Sequence, residues 1–371
     1  MSTDPRWFIH VVPCTGLGHG ADMRYSTLLL ALIAQPALAE LPAPVTDADY
    51  PPIVKQEAVL GRDLFYDPIL SGNLNVACAT CHNPAFGTSD GLSLGIGDGG
   101  IGLGTSRVID PENLPEARVP RNSPALFNLG ASEFTRLFHD GRIEVDANRP
   151  GGIRTPLADD MVAGFASLLS AQTMFPVLSP DEMAGHYAEN DVSKAVRQGL
   201  LTGPGGAWDI IAKRVAAVPA YADRFAKVYP DRPEIGFTDI ANALAAFMAW
   251  EWRSDTSLFD EVLRGQARLE GPAAAGLELF YGAAGCAACH SGPFLTDQNF
   301  YAMGAPQIGP GKAAAFETNA RDEGRFRVTG RAEDLYAFRT PSLRNVLETG
   351  PYGHAGAQKD LATFLADHAD P

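Results

Sequence analysis

The chain has 371 residues, 46% of them hydrophobic, with 44 acidic against 29 basic side chains and a net charge of −15. That length can bury more than one hydrophobic core. An acidic balance with no basic patch argues against nucleic acid and anionic membrane as partners; it keeps a secreted protein soluble.

Residues 1–22 carry no usable pattern and read as an upstream mis-start of the gene. Residues 23–39 read as a signal peptide: Arg24 near its start, an apolar run from Leu28 to Ile33, and Ala37-Leu38-Ala39 before Glu40. The run is too brief to span a bilayer. Cleavage after Ala39 is therefore expected, leaving a periplasmic protein with no membrane span.

Further along, apolar residues recur three or four apart over Ile53–Phe65, Asp160–Leu169, Asp191–Leu201, Trp208–Val215, Tyr221–Val228, Thr238–Trp252 and Ala273–Phe280. Each is an expected helix. Strand signals are sparse. Long Gly- and Pro-rich stretches, Gly87–Gly104 and Gly282–Gly311, are expected to wrap a cofactor or site.

Two motifs stand out: Cys78-Ala-Thr-Cys81-His82 and Cys286-Ala-Ala-Cys289-His290. Attachment of a c-type haem needs two thiols three positions apart for thioethers and an adjacent imidazole for the iron. The motifs use four of five cysteines, leaving only Cys14 in the doubtful first stretch, so a zinc site has no second thiol pair. Two covalently bound haems c are expected. The fold class is mainly α, with two haem domains, residues 40–254 and 255–371, descended from an ancient duplication.

Six further runs carry a resemblance. Leu64-Phe65-Tyr66-Asp67, Arg121-Asn122-Ser123-Pro124 and Phe138-His139-Asp140-Gly141-Arg142 resemble the first domain of the bacterial dihaem cytochrome c peroxidase and MauG family. Gly276 to Phe280, Thr340-Pro341-Ser342-Leu343-Arg344-Asn345-Val346 and Pro351-Tyr352-Gly353-His354 resemble its second domain. The likeness covers nearly all of residues 50–368. The lengthened stretch 160–254 is most similar to that of MbnH-like dihaem enzymes.

The resemblance implies two cytochrome c-like domains, peroxidatic then electron-transferring, with the haems and a calcium ion near their interface. His82 and His290 are the implied proximal ligands. Asn122, Thr349 and the Pro351 carbonyl match the calcium ligands, oxygen donors that suit a hard cation. No histidine lies between His82 and His139, so the implied N-terminal iron is open without activation. The second axial ligand of the other haem falls on His368, giving a closed bis-histidine iron suited to electron transfer. His139 replaces the family's relay tryptophan, or serves as a cap or propionate partner. Asp159 or Asp160 is the expected distal acid, and Asn148 stands where the family has glutamine.

The implied function is a periplasmic peroxidase that uses hydrogen peroxide to form a high-valent dihaem state. That state is expected to oxidise a protein partner, by likeness to MbnH a tryptophan on a small secreted copper-binding protein. One alternative is a detoxifying peroxidase fed by a small cytochrome or cupredoxin. Another is a dihaem electron carrier with no catalysis.

Overall fold

The computed structural model describes residues 40–309, 311 and 321–369. The expected leader, the stretch before it, Cys14 and Pro371 lie outside the described residues. Helices predominate: α1 (Lys55–Tyr66), α2 (Cys78–Cys81), α3 (Leu168–Thr173), α4 (Asp191–Arg197), α5 (Ala207–Ala216), α6 (Pro219–Val228), α7 (Phe237–Glu251), α8 (Leu258–Leu263), α9 (Gly271–Tyr281), α10 (Phe326–Thr329) and α11 (Leu361–Ala369). The strands are two or three residues long and pair antiparallel as two two-stranded sheets and one three-stranded ribbon. None of the described helices is long and apolar enough to cross a membrane.

One expected helix is absent. Over 161–167 the chain forms no helix, with Gly164 at φ +102°, and α3 begins only at Leu168 behind the Ser167 cap. A left-handed glycine and a serine that caps in the β region outweigh the apolar spacing there. Likewise α4 stops at Arg197, ahead of Gly199 at φ +72°.

The core is built on the crossing of α1 and α7. Ala58, Leu60, Leu64 and Phe65 are buried against Ile240, Ala243, Leu244 and Phe247. Gly61 makes the crossing close: a Cβ there would stand 1.8 Å from the carbonyl oxygen of Ala243. Phe65 packs on Phe247 and on buried Trp252, with ring centres 5.3 and 5.0 Å apart. Trp250 is exposed.

The same spelling, Gly-x-x-Leu-Phe-Tyr, recurs at Gly276 to Tyr281 in α9. Its surroundings differ. Nothing among the described residues lies within 4 Å of a Cβ at Gly276, and Leu279 is exposed where Leu64 is fully buried. Each of the two helices leads into a Cys-x-x-Cys-His turn.

Buried ion pairs tie residues before α3 to residues after α9. Arg121 gives Nε and Nη2 to the two oxygens of Asp322 at 2.6 and 2.8 Å, and Nη1 to Asp140 at 2.7 Å. Arg325 holds Glu144 in a second two-pronged pair at 2.9 and 2.8 Å.

Candidate haem sites

Both Cys-x-x-Cys-His motifs form the same turn. The His82 amide donates to the Cys78 carbonyl, and the His290 amide to the Cys286 carbonyl, each at 2.9 Å. Each imidazole then gives Nδ1–H to a backbone carbonyl: His82 to Thr88 at 3.0 Å, His290 to Leu295 at 3.1 Å. That bond sets the tautomer and leaves Nε2 bare as a metal ligand. Burial pushes both imidazoles below their ordinary value, so both are neutral. Burial also pushes the Cys78 and Cys81 thiols up to about 12. These residues fit covalently held haem: two thiols and one bare nitrogen, twice over.

The far sides of the two sites differ. Opposite His290, α11 presents His368, its ring centre 6.3 Å from that of His290. Metal–imidazole bonds of about 2 Å place two rings on one metal with centres about 6 Å apart. Phe364, one turn earlier, stacks on His368 at 5.4 Å and fixes its plane. Among the described residues no second imidazole pairs with His82 in this way. His186, fully buried, instead turns its Nε2 to the Asp98 carbonyl at 3.3 Å.

His139 bonds to segments far apart in the chain. Its Nε2 donates to the Asn122 carbonyl at 3.2 Å, and its own carbonyl accepts from Arg339. Burial first, then the Arg121 charge, pushes it down to about 3, so it is uncharged at neutral pH.

The expected calcium ligands are only partly gathered. Asn122 and Pro351 both flank Gly356, lying 3.0 and 2.9 Å from where its Cβ would be. Asn122 donates its amide to the Leu92 carbonyl, which leaves the side-chain oxygen to other partners. Thr349 donates its hydroxyl within its own turn, to Val346 at 3.0 Å.

Asp159, Asp160 and Asn148 sit at the surface. The Asp159 side chain is 79% exposed and reaches only toward Arg149 at 3.7 Å, and Asn148 bonds Asp146 beside it.

A different acid lies within electrostatic reach of Cys81. Glu182 acts electrostatically on Cys81 and on Arg142, whose guanidinium lies 3.9 Å over the Phe138 ring. Ten residues before it, Gln172 on α3 is buried with its carbonyl oxygen unpartnered. Sequence reading passed over this pair because Pro176 and Pro180 interrupt helical periodicity there. A Glu and a Gln held in such a broken, apolar stretch were the available signal.

The family profile described as Di-haem cytochrome c peroxidase matches residues 55–268. The chain belongs to the di-haem cytochrome c peroxidase and MauG family. It is 31% identical over 317 residues to the methylamine utilization protein MauG of Methylorubrum extorquens, covering 85% of this chain and 69% of that protein. It is 30% identical over 330 residues to the cytochrome c551 peroxidase of Pseudomonas aeruginosa, covering 88% and 75%. The crystal structure of a MauG-like protein associated with microbial copper homeostasis superposes with a TM-score of 0.57 at 26% identity, covering 90% and 81%. Membership implies two covalently bound haems c, a peroxidase or MauG-type oxidoreductase activity, and peroxide and a protein as reaction partners.

Proposed function

We propose that this protein uses hydrogen peroxide to withdraw two electrons from an aromatic side chain of a partner protein, in the manner of MbnH. The observation that carries the reading is the inequality of the sites: His290 faces His368 across one iron's width, and among the described residues no imidazole pairs with His82 in this way. Haem, when bound, supplies peroxide reduction at the open site and electron transfer at the closed one.

The chain's own residues do the rest. His82 and His290 would hold the irons through Nε2, each steadied by its carbonyl partner. Glu182, in place of Asp159 or Asp160, takes a proton from peroxide on its carboxylate and returns it to the departing oxygen. Gln172 orients the peroxide beside it. The balance is one peroxide, two protons and two electrons to two waters, the electrons coming from the partner. Asn122 and the Pro351 carbonyl, with Thr349 if its hydroxyl leaves Val346, would hold calcium. The partner we favour is a small secreted copper-binding protein, consistent with the copper association of the structural relative. Export with cleavage after Ala39 completes the proposal.

Peroxide added to the ferric holoprotein without reductant tests it. A long-lived spectrum with a near-infrared band, discharged two electrons at a time by the partner, is expected. Rapid return to the resting spectrum would favour a detoxifying peroxidase fed by a small cytochrome or cupredoxin. Absence of any high-spin ferric signal beforehand would favour a plain electron carrier.

A further inference from the structure

Asp98 is fully buried, and among the described residues no cation bonds its carboxylate. Oδ1 accepts from the Asn75 amide at 2.5 Å, the Gly99 N–H at 3.0 Å and the Asn113 amide at 3.3 Å; Oδ2 accepts from the Asn73 amide at 2.6 Å. Arg107 feels its charge but gives Nε, Nη1 and Nη2 to the carbonyls of Ile96, Gly102 and Gly97. A carboxylate buried on neutral donors alone is costly, and such a network specifies position more than it stabilises.

What it positions is the turn that carries Glu182. Residues Pro180–Ala184 make one wide π-type turn, a form frequent at functional sites. The Asp98 N–H donates to the Glu182 carbonyl at 2.9 Å, and His186 Nε2 grips the Asp98 carbonyl. The approach leaves no slack: a Cβ at Gly97 would stand 2.3 Å from the Asp181 carbonyl oxygen. On the opposite side the Gly72 N–H donates to the Met183 carbonyl at 2.7 Å, and the Asn190 amide to the Ala184 carbonyl at 3.0 Å. Asn73 joins the sides, bonding both Asp98 and Glu189, whose carboxylate also takes the His186 N–H at 2.8 Å.

We infer that Asp98 is a positioning residue for Glu182. Its carboxylate, caged by Asn73, Asn75 and Asn113, fixes the backbone under Glu182 so that the acid stands ready above His82 with no rearrangement. The inference rests on the reading of Glu182 as the proton-moving acid.

A double-mutant cycle on the ferric holoprotein, read as the second-order rate with peroxide, separates the two. Glu182→Gln is expected to slow the reaction by roughly 100-fold or more. Asp98→Ala is expected to slow it roughly 10- to 100-fold, the cost of a displaced catalytic group. The double variant should be no slower than Glu182→Gln alone. Slowing equal to the product of the single effects, or no slowing by Asp98→Ala, would overturn the inference. An unchanged rate in Glu182→Gln would overturn the Glu182 reading, and this inference with it. Should Asp98→Ala fail to fold, Asn75→Ala removes one strut and leaves the aspartate. Hydrogen exchange at the amides of residues 182–184 should then quicken at least tenfold while the low-spin signal of the second haem stays; unchanged exchange counts against the cage.

Discussion

The rings of His290 and His368 stand 6.3 Å apart at a 56° angle, each on a different segment and each anchored by a neighbour of its own. His290 is oriented by the Leu295 carbonyl, His368 by the stack on Phe364. Replacing His368 with Ala should convert the second haem to high spin. Replacement with Met should keep it low-spin but raise its reduction potential, since thioether favours ferrous iron. Ferric paramagnetic resonance and a redox titration check both outcomes.

The doubled Gly-x-x-Leu-Phe-Tyr spelling leads to opposite expectations for one substitution. Gly61→Ala drives a methyl into the α7 backbone and should cost at least about 3 kcal/mol, towards the upper range for overpacking. Gly276→Ala meets open space and should stabilise α9 by up to about 1 kcal/mol through helix propensity. Thermal unfolding of the two variants should shift in opposite directions.

Asp322 holds Arg121 across the middle of the molecule. Burial alone would raise its carboxyl pKa; the hydrogen bonds and charge of Arg121 outweigh that and hold it below the usual carboxylate range. Asp322→Asn should destabilise by on the order of 3 kcal/mol, because Arg121 stays buried with half its partners gone. Urea denaturation at neutral pH measures it. Below about pH 4 the difference should shrink, since wild type then loses the same charge by protonation.

His354 stacks on Phe338 with ring centres 3.9 Å apart, and neither ring nitrogen has a partner. Burial holds it down to about 4, against 6.5 ordinarily. Between those values the unfolded chain binds a proton that the folded one refuses, so stability falls as pH drops across that window. His354→Phe keeps the stack and should flatten that part of the profile. Denaturant midpoints from pH 4 to 7 give the comparison.

Local patterns were legible in the chain. The Cys-x-x-Cys-His turns, α1, α5, α6, α7 and α9 all follow from spacing within a few residues, and the structure places them within two or three residues of the expected bounds. The family's fourteen-residue spacing counted from His354 led to His368, whose ring the structure sets 6.3 Å from that of His290. What escaped notice depends on long-range closure. Glu182 sits in a turn shaped by Asp98, Gly72 and Asn190, residues between 8 and 110 positions away, and no window of sequence contains that arrangement. Asp159 and Asp160 drew attention by their place after Arg154-Thr155-Pro156, yet acids just past a proline also suit a solvated turn, which is where the structure puts them.

The Arg121–Asp322 pair has a consequence for the order of assembly. Asp322 is made after both haem-attachment motifs, so Arg121 meets it only once Cys78 to His82 and Cys286 to His290 have both emerged. Until then the first motif lies in a half-molecule whose central guanidinium lacks two of its three carboxylate bonds. The clamp between Arg121 and Asp322 therefore cannot close before the chain carries both attachment sites.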